Sequence, residues 1–207
     1  MSRETNAKQR MVEAALALFH ARGVYGTSVD AVLERSRTGK GQFSHYFKDK
    51  DGLVRAVLRH FYGNLRRGAY DKVDAIRSWS DLERWLRAFL RWQQEMECTL
   101  GCPIATIGND LSQAQRGLRR EIRDIFDWRR AFVAAFFRQQ QAAGQMRKDF
   151  RPEALADFCY TITQGGLFMA KVERNSTPFE HALRIALAHL HSMRIPAKGA
   201  RTRGASS

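Results

Sequence analysis

Long apolar runs are missing from this 207-residue chain. None approaches the ~18 residues that a membrane-crossing helix needs, and Arg3, Glu4 and Lys8 stand where a signal peptide would carry its apolar core. The expectation is a cytoplasmic protein with no membrane partner. Cysteine is scarce too. Cys98, Cys102 and Cys159 are an odd number without a Cys-x-x-Cys pair, which fits a reducing compartment and excludes a disulfide framework. His189 and His191 lie two apart on a helix and point away from each other, while His20, His60 and His181 are isolated, so no metal site is expected. No segment alternates with period 2 over a strand's length. Without a strand there is no scaffold for a glycine-rich phosphate loop or a Ser/His/Asp set. No cofactor and no enzyme follow as expectations, with a thiol-dependent peroxidase built on Cys98 and Cys102 as the catalytic alternative.

What the chain does have is positive charge, apolar side chains and legible helix ends. Net charge is +14 and the isoelectric point lies near 10.4. Over Met1 to Asp74, 14 Lys and Arg stand against 8 Asp and Glu, the sign an anionic polymer requires. With 44% apolar residues the chain can bury a core. Helical periodicity places a first helix over Thr5 to Arg22, with Val12, Leu16 and Phe19 on one stripe and Gly23 ending it. Another runs from Lys50 to about Asp74, capped by Asp49. Ser80 to Glu83, Ser112 to Gln115 and Thr177 to Glu180 read as capping boxes, and Arg151-Pro152 opens a further helix. The predicted architecture is all-α with about nine helices: a domain over 1–50, a larger helical one over 51–195, and a basic tail over 196–207.

Between Thr27 and Lys50 the sequence TSVDAVLERSRTGKGQFSHYFKDK predicts two short helices joined by a tight turn. Ser28 suits the first N-cap, and Val29, Val32 and Leu33 have helical apolar spacing. After a turn at Arg37 to Gly39, Phe43 and Phe47 face inward while Thr38, Lys40, Gln42, Ser44, His45 and Tyr46 face outward. Such a pair is what insertion into a DNA major groove needs. The run KGQFSHYFKDKDGL resembles the TetR family of bacterial one-component transcriptional regulators, whose members show K-G-x-[LF]-Y-x-[HY]-F-x-[SD]-K here. That likeness covers roughly the first quarter of the chain. It departs at Ser44, where a phosphate-touching tyrosine is usual, and at Arg37, where a glycine is usual.

The resemblance implies a homodimeric repressor on a palindromic double-stranded operator, with Thr27, Ser28, Arg37, Thr38, Lys40, Gln42, His45, Tyr46, Lys48 and Lys50 facing DNA. Gln42 suits an adenine edge, Lys40 and Lys48 suit phosphate, and Thr27 or Ser28 would anchor the first helix's start on the backbone. It also implies a dimer of four helices, two per subunit. The candidates are the long helix from Gln113 to Ala143 and the one from Pro152 to about Arg174, where Gly165-Gly166 gives either a kink or a close approach of another backbone. An effector pocket is expected around Phe89, Trp92, Met96, Cys102, Trp128, Phe132 and Phe168, although each is equally an ordinary core residue. In the run from Cys98 to Ile104, Gly101 would end one helix and Cys102 would cap the next, lowering its thiol pKa through the helix dipole. GCPIATIGNDLS resembles a G-C-x-I-G-N-x-x-x-E-L stretch in a TetR subgroup that includes regulators responding to electrophiles, departing from it at Thr106 and Asp110. Cys102 is therefore a candidate sensor with Cys98 as resolving partner, against the alternative of a buried inert thiol. An architectural DNA binder without an effector is the remaining alternative.

Overall fold

The computed structural model describes residues 3–69 and 76–195. Among them the chain forms nine helices in the order α1 (Arg3–Arg22), α2 (Val29–Ser36), α3 (Lys40–Phe47), α4 (Lys50–Arg66), α5 (Trp79–Glu95), α6 (Pro103–Asn109), α7 (Arg116–Ala142), α8 (Pro152–Glu173) and α9 (Thr177–Ser192). The all-α expectation holds. One antiparallel bridge between Met146 and Arg194 ties the end of α9 to the α7–α8 turn.

Two apolar clusters organise these helices. The first gathers Met11, Phe19, Val32, Phe43, Phe47, Leu53, Leu58 and Leu65 from α1 to α4. Ile104 and Ile107 of α6 and Leu118, Ile122 and Ile125 of α7 join it, so α6 and the first half of α7 pack with the N-terminal helices. The second cluster joins α5, the rest of α7, α8 and α9 through Leu82, Leu86, Phe136, Phe137, Leu167, Phe179 and Leu187. Fully burying a side chain of this size stabilises by ~1.5–3 kcal/mol, and both clusters are rich in them.

Several helix ends differ from the sequence expectation, each for a local reason. α1 begins at Arg3, ahead of Thr5. α4 stops at Arg66, where Arg67 and Gly68 turn the chain, short of the expected Asp74; residues 70–75, like the 196–207 tail, lie outside the described residues. The box before α5 is set by Ser78, whose hydroxyl accepts from Asp81 N–H at 3.1 Å while the Asp81 carboxylate accepts from Ser78 N–H at 3.0 Å; Ser80 lies inside the helix. The Ser78 hydroxyl beside it, the Arg77 amide donating at 3.2 Å and Arg84 donating at 2.8 Å hold the Asp81 carboxyl below its ordinary pKa. Gln115 itself is the N-cap of α7, its side chain accepting from Ser112 N–H at 2.8 Å. α9 has no box either: Ser176 is its N-cap without a side-chain bond, and Asn175 accepts from Thr177 N–H at 3.0 Å. α5 ends at Glu95, six residues before Gly101, because Glu97 and Cys98 adopt left-handed φ of 49° and 53°.

The two candidate dimer helices use their apolar residues differently. The apolar stripe of α7 is spent inside its own chain, with Leu118, Ile122, Ile125, Val133, Phe136 and Phe137 all buried. Large exposed apolar side chains stand instead on α8 and α9: Phe168, Met169, Val172 and Ile185. Of the glycine pair, Gly166 admits Phe179 of α9, whose ring lies 2.0 Å from where a Cβ would be. A Cβ on Gly165 would meet nothing within 4 Å. The close approach is thus of a ring from the same chain, and α8 runs unbroken through both glycines.

Candidate functional site

The first site is the outward face of α2 and α3. Ser28 caps α2 by accepting from Ala31 N–H at 3.1 Å. Arg37 ends that helix in the left-handed region at φ 53°, which is why a glycine would suit the position. Arg10 of α1 donates to Ser36 carbonyl at 3.0 Å, locking the end of α2 to α1. Phe43 and Phe47 bury themselves against the N-terminal core, which fixes the rotation of α3. Arg37, Lys40, Gln42, Ser44, His45 and Lys48 are left exposed, with Thr38, Tyr46 and Lys50 half-buried. Lys40 and Asp30 pair at 3.2 Å with both side chains in solvent, a contact worth at most ~1 kcal/mol and easily exchanged for phosphate. Gln42 folds back to accept from Gly39 N–H at 3.2 Å, keeping its amide N–H2 outward.

Thr27 is the exception in this set. Its side chain is buried and donates to Gly23 carbonyl at 2.8 Å, so it shapes the α1–α2 turn and does not face a partner. Ser28, exposed, is the residue that can anchor α2 on a backbone phosphate. Tyr25, 71% exposed beside the same turn, is a further candidate that helical periodicity could not flag because it lies in a loop.

The second site is a cavity of ≈ 490 Å³ where α1, α4, α5, α6, α7 and α8 converge. Phe89, Trp92, Met96 and Cys102 line it, as the sequence suggests. Trp128 and Phe132 do not: they stack edge-on at 4.5 Å, and Trp128 meets Tyr62 at 5.8 Å, within the packing between α4 and α7. Phe168 lines a separate cavity of ≈ 370 Å³ with the end of α1, α6 and Lys171. The residues that sequence reasoning missed come from distant helices: Leu16, Ala17 and His20 of α1, Arg129 of α7, Tyr160 and Gln164 of α8. No local pattern marks them, because six helices must fold before they share a wall.

α6 lines the cavity and is held at both ends, by α1 and by the turn that follows it. At its start, His20 Nε2–H donates to Gly101 carbonyl at 2.7 Å, the imidazole lying parallel to Trp92 with ring centres 6.0 Å apart. Burial lowers the His20 pKa, against the Gly101 bond that raises it and with Lys171 adding to the fall. At its far end, the Asp110 carboxylate accepts from Val24 N–H and from Tyr25 N–H at 3.2 Å, in the turn that leads into α2.

The cysteines depart from the expected chemistry. Cys102 is the N-cap of α6, as the sequence suggests. Burial nevertheless pushes its thiol pKa up, and the Ala105 and Ile104 amides, the Arg129 charge and the Gln164 side chain only partly offset that. Desolvation wins over the helix dipole, so the lowered pKa inferred from sequence is reversed. Cys98 is buried where Cys102 is half-buried, and Cys159, inside α8, is pushed up to about 12 by burial. Among the described residues no group of three or more His, Cys, Asp or Glu could hold a metal ion, and no helix is long and apolar enough to cross a membrane.

Comparison with known proteins agrees with this arrangement. A family model for bacterial regulatory proteins of the tetR family matches residues 11–57, and one for the tetracyclin repressor-like C-terminal domain matches residues 79–186. The HTH-type transcriptional repressor DhaR of Mycobacterium sp. (strain GP1) is 26% identical over 189 residues, 90% of this chain and 93% of that one. The transcriptional regulator AcuR of Cereibacter sphaeroides is 28% identical over 177 residues, 83% and 80% of the two chains. A crystal structure of regulatory protein TetR from Rhodobacter sphaeroides superposes with a TM-score of 0.77 at 23% identity, covering 88% of this chain and 98% of that one. With a helix-turn-helix face in the first family segment and a helical cavity domain in the second, this non-enzymatic, DNA-binding chain belongs to the TetR family of bacterial transcriptional regulators.

Proposed function

We propose that the protein is a homodimeric repressor released from a palindromic operator by a small, largely apolar ligand bound in the ≈ 490 Å³ cavity. It would act in the cytoplasm on double-stranded DNA, residues 1–50 reading the operator and 51–195 sensing and dimerising. The observation that carries this is the composition of the cavity wall. Leu16, Ala17 and His20 of α1 are part of it, and α6, another wall element, is hydrogen-bonded to the turn that positions α2. A ligand that wedges α5 and α8 away from α1 and α6 therefore changes the orientation of α3 without an intermediary domain. Exposed Phe168, Met169 and Val172 on α8 and Ile185 on α9 support dimerisation through those two helices, a twofold arrangement that sets two copies of α3 on successive major grooves about 34 Å apart.

Arg37, Thr38, Lys40, Gln42, His45, Tyr46, Lys48 and Lys50 are the operator-facing set, with Ser28 at the start of α2. Binding without covalent chemistry is favoured over thiol modification, because Cys102 is held protonated by burial. The same fact disfavours a thiol peroxidase. Selecting fragments from a random DNA pool with the purified protein tests the reading. A palindromic consensus bound by a dimer is expected, and its release by an apolar ligand separates a repressor from an architectural binder, which would give shallow preference and no ligand response.

A further inference from the structure

Arginines crowd the start of α7, where the positive end of the helix dipole disfavours them. Arg116 is the first residue of the helix, and Arg119, Arg120 and Arg123 follow at helical spacing on the side away from the buried Leu118, Ile122 and Ile125. Arg116, Arg120 and Arg123 are exposed. The first turns of α2, α4, α5, α8 and α9 carry the usual acid, Asp30, Asp51, Asp81, Glu153 and Glu180, and that of α7 carries none. α3, the reading helix, breaks the same rule, opening on Lys40 without an acid. A local preference violated in this way points to a surface kept for a partner.

Compensation from within the chain is small. Glu121 accepts from two guanidiniums of α4, Arg55 at 3.0 Å and Arg59 at 3.5 Å, so that joint is itself left positive. Arg119 donates to Ser112 carbonyl at 3.0 Å. Among the described residues no carboxylate, Asp124 included, pairs with Arg116, Arg120 or Arg123. Placement then identifies the anion. Gln115, the N-cap of α7, donates its side-chain N–H to the Asp51 carboxylate at 2.6 Å. Asp51 lies in the first turn of α4, beside Lys50 and close to Lys48, both in the operator-facing set. The Arg55 guanidinium comes within 3.6 Å of where a Cβ on Gly117 would be. The first turn of α7 is therefore seated on the end of α4 that adjoins α3, and its arginines continue the basic surface of Lys48 and Lys50.

We infer that the start of α7 is a second DNA-contact surface, with Arg116 and Arg120 neutralising duplex phosphates that α2 and α3 do not reach. Its chemistry is charge alone, so it adds affinity without sequence preference. The inference rests on α3 facing DNA and adds a contact made by the larger helical domain itself. Ile125 and Phe126 of the same helix line the ≈ 490 Å³ cavity, so one continuous helix joins the cavity wall to a phosphate contact.

The test measures equilibrium binding of the full-length protein to a mixed-sequence duplex of about 40 base pairs at salt concentrations from about 50 to 200 mM. The pair Arg116→Gln/Arg120→Gln is compared with a matched pair, Arg91→Gln/Lys148→Gln, which removes the same charge from exposed positions on α5 and in the α7–α8 turn. The α7 pair is expected to weaken binding about tenfold at the lowest salt and to flatten the salt slope by about 0.9 for every phosphate no longer neutralised. The matched pair should weaken it less than about twofold, since its charges stay beyond a Debye length of the duplex. The urea midpoint of the α7 pair should be unchanged or higher, because two cations have left the positive end of a helix. A loss no larger than that of the matched pair, or a loss that accompanies a lower urea midpoint, would overturn the α7 contact. Lys40→Ala tells this failure from a failure of the underlying reading. If Lys40→Ala weakens binding and the α7 pair does not, the α7 contact alone falls; if neither does, the assignment of α3 to DNA falls with it.

Discussion

α3 and α6 are nearly the same length, eight and seven residues, yet they use their side chains in opposite ways. α3 buries two rings and turns nearly everything else to solvent. α6 buries Ile104 and Ile107 and is fastened at both ends, to α1 through His20 with Gly101 and to the α1–α2 turn through Asp110 with Val24 and Tyr25. One is a face made for an external partner; the other is a strut made to transmit position. A helix that works outward can be altered one residue at a time with local effects, whereas a strut fails at its fastenings.

The largest effect is therefore expected at Asp110. Asp110→Ala leaves Val24 N–H and Tyr25 N–H without their carboxylate. Losing the charged acceptor of the partly buried Val24 N–H costs about 1–3 kcal/mol, the exposed Tyr25 N–H turning to water, and the loss should appear as a lower urea midpoint. Operator affinity measured on the folded fraction should weaken, and ligand release should become shallower, because the strut no longer holds the turn before α2. Unaltered ligand release in a destabilised Asp110→Ala protein would show that α6 is only structural.

On α3 the expected changes are confined to DNA. Gln42→Ala should relax preference at one position in each half-site, costing about 1–3 kcal/mol of discrimination there. Lys40→Ala should weaken all sequences alike and flatten the salt slope by about 1 for each phosphate it no longer neutralises. Equilibrium binding at several salt concentrations separates the two. If Gln42→Ala behaves like Lys40→Ala, Gln42 touches only the DNA backbone and its bond to Gly39 N–H is its main role.

The contrast also explains what could be read from the chain. α3 is visible in sequence because its function is local: Phe43 and Phe47 fix its rotation, and the polar residues between them are the functional face. Caps and breaks mark the order and number of helices for the same reason, although box positions slip where a serine two residues away, Ser78 for Ser80, makes the better bond. The cavity is half legible. Phe89, Trp92 and Met96 share a face of α5 and can be read together, but Trp128 and Phe132 obey the same apolar rule and pack elsewhere. His20, Arg129 and Gln164 have no neighbours in sequence that announce them. The N-cap position of Cys102 is readable and its chemistry is not, because a dipole follows from a helix start whereas desolvation depends on α7 and α8 closing over the thiol.

A smaller effect sharpens the outward half of the comparison. A Cβ at Gly41, on the exposed side of α3, would meet nothing within 4 Å. Replacing glycine by alanine in a helix stabilises by about 0.4–1 kcal/mol through the unfolded chain. Gly41→Ala should raise the melting temperature slightly and still weaken operator binding, since the added methyl stands between α3 and the groove. A more stable protein with unchanged operator affinity would mean that this side of α3 does not approach DNA closely.

The smallest effect concerns the other fastening of α6, where pH is the probe. Burial keeps the folded-state pKa of His20 below 6.5. As pH falls through 6.5 the unfolded chain takes up a proton that the folded chain refuses, so the stability that neutral His20 contributes is present above that pH and lost below it. His20→Gln keeps an N–H donor for Gly101 carbonyl and removes the titration. Urea midpoints at pH 7.5, 6.5 and 5.5 should show the unaltered protein losing stability relative to His20→Gln as pH falls. A difference that stays flat across this range would mean that the ring is solvated enough to protonate in place. The imidazolium would still donate to Gly101 carbonyl, so this fastening of α6 would hold across the range and pH would not loosen the strut.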